Sequence, residues 1–115
     1  MDERVAARQA FVAERFGCDA SPPLPGEKLG ISRNTRDGVS PLNGLRHRPA
    51  GDTCGWYIWA GEQLSEEDDF FVPLHVEELS AWSPAAVDYL GLPPGWRFLI
   101  APDYEDVWYD PTLLE

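Results

Sequence analysis

Basic residues are almost missing from the second half of this 115-residue chain. Residues 51–115 hold one, Arg97, against fourteen Asp and Glu, whereas residues 1–50 hold eight Lys and Arg against six acids. The whole excess behind the net charge of −11 is therefore C-terminal. A field of that sign repels nucleic acid and anionic membranes and attracts a basic partner; the plainer reading is that acidity keeps the chain soluble. Long apolar runs are lacking too: nothing approaches the roughly 20 residues that cross a bilayer. The start, MDERVAARQAF, has charges where a secretory signal would be apolar. A cytoplasmic protein is expected. The two cysteines, Cys18 and Cys54, have no CxxC spacing, and in a reducing compartment the expectation is two free thiols.

Motifs that carry chemistry are equally scarce. There is no GxSxG, HExxH, P-loop or GxGxxG. The only histidines, His47 and His75, have no paired spacing with cysteine, so a zinc site would have to be gathered from distant loops. Glu66-Glu67-Asp68-Asp69 offers carboxylates, but they are consecutive and run into Phe70-Phe71, whereas calcium loops alternate their ligands around a glycine. No catalytic, metal or cofactor residue is assigned on these grounds. Cys54 with His47 or His75 is a pair from which a small hydrolase would be built.

The chain does have local structure signals. Helix formers run from Asp2 to Phe16, with Val5, Val12 and Phe16 on one face and Gly17 as the stop. SPPLPGEK excludes regular structure, and Asp37-Gly38 and Asn43-Gly44 read as turns, with short strands at Leu29 to Ser32 and Leu45 to Arg48. GWYIWAG reads as a central strand covered on both faces, Trp56 and Ile58 on one and Tyr57 and Trp59 on the other. Ser65 followed by acids reads as a helix start, and Leu74 to Trp82 as a short helix. Ser83-Pro84 opens another over 84–90. Trp96 to Ala101 and Glu105 to Tyr109 read as a hairpin around Pro102-Asp103-Tyr104.

The sum is one small α+β domain over residues 1–115, with a mostly antiparallel sheet, an N-terminal helix over 1–17 and two short inserted helices. Most of the five tryptophans belong to its core. Trp108, flanked on its face by Asp106 and Asp110, is the candidate for an aromatic side chain exposed in an acidic surface.

Gly30-Ile31 with Asn34, then PLNGLRH, GWYIWAG, DFFVPLHVE and the long string GLPPGWRFLIAPDYEDVWYD resemble the Imm33-like immunity proteins of bacterial polymorphic toxin systems. That group is related to one described only as a domain of unknown function. The resemblance covers about residues 29–111. It implies a cytoplasmic protein that binds and blocks a cognate protein toxin without chemistry, cofactor, nucleic acid or membrane. Charge adds the expectation that the toxin has a basic cleft, as a nuclease does. Glu66, Glu67, Asp68 and Asp69 are the contact candidates in one turn, and Asp103, Glu105, Asp106, Trp108 and Asp110 in the hairpin. A general protein-interaction module without a toxin partner remains the alternative, and a small hydrolase a further one.

Overall fold

The computed structural model describes residues 3–65, 67 and 69–115. Helix α1 (Glu3–Arg15) ends as the sequence predicts. Gly17 takes the left-handed conformation at φ 79°, which lets the Cys18 amide reach the Ala13 carbonyl at 3.0 Å and the Gly17 amide reach that of Glu14 at 3.2 Å. Six strands follow: β1 (Lys28–Ser32), β2 (Leu42–Arg46), β3 (Thr53–Ala60), β4 (Phe71–His75), β5 (Trp96–Ala101) and β6 (Tyr104–Tyr109). They form one sheet in the order β4-β1-β3-β2-β5-β6, in which only β1 and β3 run parallel. Single-turn helices α2 (Leu79–Trp82) and α3 (Pro84–Val87) lie between β4 and β5. The α+β class and the central place of GWYIWAG are as expected.

Strand alternation divides the sheet into two faces. Leu29, Ile31, Leu42, Trp56, Ile58 and Phe98 point to the face covered by α1, α2 and α3, where Val12, Leu79 and Val87 complete the main core. The second face carries a smaller cluster of Leu45, Trp59 and Leu113, flanked by Tyr57, Phe70 and Phe71. Leu113 comes from a 3-10 turn, Pro111–Leu114, which is part of the cover this face receives.

Four local expectations need correction. Asn43-Gly44 is not a turn but the middle of β2. Gly44 lies under the Phe98 ring, whose nearest carbon would stand 2.2 Å from an added Cβ, and the buried Asn43 amide donates to the carbonyls of Gly61 at 2.8 Å and Trp59 at 3.3 Å. The strand read at Leu45 to Arg48 is thus shifted to Leu42–Arg46. Leu74 belongs to strand β4, where apolar side chains alternate with period two, and helical structure starts only at Val76. Pro73 is tolerated because β4 is an edge. The described residues after Ser65 form a turn, Ser65 Oγ accepting from the Glu67 amide at 3.1 Å, and Phe70 and Phe71 pack edge to face at 4.9 Å as β4 begins. Finally, α3 stops at Val87 and continues as tight turns, and Ser83 makes no side-chain cap. Those turns aim the Leu90 carbonyl at the Trp56 indole, 3.0 Å away, and the Leu92 carbonyl at Arg46, 2.8 Å away.

Arg46 is 3% exposed, yet carbonyls rather than a carboxylate receive it: Cys54 at Nε (3.0 Å), Ser21 (2.6 Å) and Leu92 at Nη1. Burial pulls its pKa below the ordinary arginine value. Replacing Arg46 by Met strands these acceptors and should lower the unfolding free energy by about 3 kcal/mol or more. Gly44→Ala forces a methyl into the Phe98 ring and should lower it by roughly 1–3 kcal/mol. Urea titrations check both, and an unchanged midpoint for either contradicts the role given to that residue.

Candidate functional site

The register places the sheet ends. Ile100 pairs with Leu42, Leu42 with Ala60, and Ser32 with Phe71, so the turn at Pro102-Asp103 and the segment from Gly61 to Phe70 leave the sheet at the same end. The segment leaves central β3 and enters β4 at one edge, whereas the hairpin turn joins β5 to β6 at the other, so Asp69 and Asp103 stand between four and five strand spacings apart, on the order of 20 Å. A partner of ordinary interface size spans that distance only by lying across the sheet end. Between them sits the 3-10 helix Arg33–Asp37, which interrupts the acidic rim with two arginines. Arg36 covers the Trp82 ring at 4.5 Å, and Arg33 donates to the Asp69 backbone carbonyl at 3.4 Å.

The residues singled out from the sequence do not form one patch. Glu66 and Asp68 lie outside the described residues. Glu67 and Asp69 are exposed on the segment entering β4, and Asp103 is exposed at the hairpin turn. Glu105 points to the helical face. Both its oxygens accept from Arg15, at 3.0 and 2.8 Å, and the Tyr89 hydroxyl donates to it as well. Asp106 is exposed on the second face, opposite Leu99 in the register. Trp108 shares that face, but is half-buried beneath the Arg97 guanidinium, 5.3 Å from its ring centre. Asp110 is taken up locally, accepting from the Thr112 amide at 3.1 Å and from Arg97 at 3.3 Å. Among the described residues, then, Glu67, Asp69, Asp103 and Asp106 have carboxylates with no recorded partner, while Glu105 and Asp110 are committed to holding the fold.

The candidate catalytic pairs are not assembled. Cys54 is buried in the main core and burial pushes its thiol up. His47 packs edge-on against Tyr57 at 5.6 Å on the second face, with its Nδ1 3.1 Å from the Leu113 carbonyl. His75 is exposed at the end of β4, in the Phe71-Pro73-His75 row of that same second face. The sheet itself separates the thiol from both rings. Cys18 and Cys54 are both free thiols. Among the described residues no group of three or more His, Cys, Asp and Glu is gathered as metal ligands, and no helix is long and apolar enough to cross a membrane.

One feature of this end was not legible in the chain. Two adjoining cavities, about 460 and 290 Å³, open between α3 and the hairpin and share Ala85, Ile100, Ala101 and Pro102 in their walls. Neither Ala85 nor Pro102 carries a chemical signal. Tyr104, read from the sequence as part of the hairpin turn, is left exposed beside them.

A sequence-family model described as the Imm33-like domain matches residues 8–110. No curated protein and no solved structure matches the chain.

The Arg15–Glu105 pair supplies a prediction. The two guanidinium bonds, helped by Tyr89, hold the Glu105 carboxyl below its usual range. A depressed carboxylate pKa contributes stability above the unfolded value, about 4.3, and loses it as the pH falls through the native value. Both partners are about one-third exposed, so Glu105→Gln should cost at most about 1 kcal/mol at pH 7. The gap from the unaltered protein should close on acidification below about pH 4. Thermal melts across pH check this, and a gap that persists in acid contradicts the ionic account.

Proposed function

The chain belongs to the Imm33-like family, and from that premise we propose that it is an immunity protein that neutralises a cognate protein toxin by binding it, with no chemistry of its own. The observation that carries this reading is the family match over residues 8–110, nearly the whole chain. The charge distribution supplies the partner's chemistry. With fourteen acids in residues 51–115, and Glu67, Asp69 and Asp103 without a partner among the described residues at one end of the sheet, the complementary surface is basic. A toxin that cleaves nucleic acid has such a surface at its cleft, and an acidic protein lying across that cleft both meets it quickly and excludes the substrate.

Under this reading the hairpin residues have different jobs. Asp103 faces the toxin, whereas Glu105 and Asp110 keep the hairpin in place, and Trp108 with Arg97 stiffens the second face of β6. Co-expression with a cognate toxin should restore growth to cells that the toxin arrests, and a stable complex without rescue would count for a general interaction module instead. Binding should weaken between about 50 and 500 mM salt, where the Debye length shortens roughly threefold. Reversing Glu67, Asp69 and Asp103 to Lys together should lower the association rate at low salt by tenfold or more, with a smaller change in dissociation. Association that ignores both salt and these reversals would remove the electrostatic part of the proposal.

A further inference from the structure

We propose that the groove between α3 and the β5–β6 hairpin receives an extended, basic segment of the toxin, with an apolar side chain over Ile100 and a Lys or Arg at Asp103. This rests on the toxin-binding reading above and adds a place and a partner chemistry to it. The two cavities that share Ala85, Ile100, Ala101 and Pro102 form one continuous groove whose ends differ in character. Towards the β1–β2 connection its wall is Val39 and Leu42, and Val39 is left 43% exposed. Towards the hairpin turn it is Asp88, Asp103 and Tyr104, and Tyr104 is left 56% exposed. Two of the chain's large exposed apolar side chains thus flank a single depression, one at each end.

The polar end selects a cation. Asp103 has no partner among the described residues, and Asp88 gives one oxygen, Oδ1, to Arg8 at 2.8 Å and keeps Oδ2. Glu105 is saturated by Arg15 and Tyr89, so it is a wall and not a ligand. An acidic or purely apolar occupant would cover Asp103 without compensating it, which is costly. The volumes select the shape. About 460 and 290 Å³ hold one or two side chains each, whereas a helix with its side chains is about 10–12 Å across. The hairpin tip is also held before binding, because the Arg15–Glu105–Tyr89 cluster ties β6 to α1 and to the turn after α3, so little ordering remains to oppose association.

The test uses as its probe a catalytically inactivated form of a toxin that the chain neutralises on co-expression, titrated against the full chain. Ala85→Trp fills the groove from an exposed position on α3, and Asp103→Lys reverses its free acid. Glu78→Lys makes the same charge change on the 3-10 helix after β4 and serves as the control. The expected result is a tenfold or greater loss of affinity for Ala85→Trp and for Asp103→Lys, and a change within about twofold for Glu78→Lys. Amide exchange at residues 38–40, 101, 103 and 104 should slow in the complex of the unaltered protein. If that protein binds and protects while both groove variants bind equally well, the groove proposal is overturned and the immunity reading stands. If the unaltered protein does not bind, both fall. Should a variant fail to fold, the exchange experiment decides alone, since absence of slowing at residues 38–40, 101, 103 and 104 in the complex overturns the groove.

Discussion

A single buried guanidinium organises the parts of this molecule that have no regular structure. Arg46, at the end of β2, spends its donors on the carbonyls of Cys54, Ser21 and Leu92, and its guanidinium lies 5.8 Å from the Trp56 ring centre. These acceptors belong to the next strand, the proline-rich segment after α1 and the turns after α3. Segments with so little internal hydrogen bonding need an external donor to be held, and a cation surrounded by carbonyl dipoles meets that need while offsetting part of its own desolvation. Trp56 repeats the device with its indole on the Leu90 carbonyl. Beside α1, the cover of the helical face can therefore be built from single-turn helices and loops.

The same logic explains which parts of the fold were legible. GWYIWAG and the β5–β6 hairpin could be read because their alternation is local and their turns contain turn residues. β2 could not, because Asn43-Gly44 is indistinguishable from a hairpin turn until Phe98 and the carbonyls of Trp59 and Gly61 are in place around it. β4 was hidden by Pro73, which only an edge strand accommodates, and edge position is a property of the whole sheet. The acids of the hairpin were legible as charges but not as a surface. Whether Glu105 faces solvent or Arg15 depends on where α1 docks.

The motif PLNGLRH, one of the strings behind the resemblance, is structural from Asn43 to Arg46. Asn43 closes the β2–β3 end, Gly44 admits a phenyl ring, Leu45 packs in the second-face cluster and Arg46 is the central clasp. None of these side chains is available to a partner. A family recognisable by such a string is recognisable by how it folds, and its binding residues must be sought among the ones the fold leaves unused. That criterion moves attention from Glu105, Trp108 and Asp110, which have internal partners, to Glu67, Asp69, Asp103 and the bare groove between Val39 and Tyr104.

In the proposed complex, charge and groove would divide the work of recognition. A net charge of −11 acts over about a Debye length, roughly 8–10 Å at moderate salt, so it accelerates encounter with any basic surface and cannot discriminate one toxin from another. Discrimination requires contacts that exclude water and fail when the wrong side chain arrives. On the acidic end of this sheet the feature with that character is the groove, where an apolar floor beside an unpaired carboxylate rewards an apolar residue followed by a cation and penalises most other pairs. Under the proposed function, the acidic rim would govern how fast a toxin arrives, and the shape behind Asp103 how long it stays.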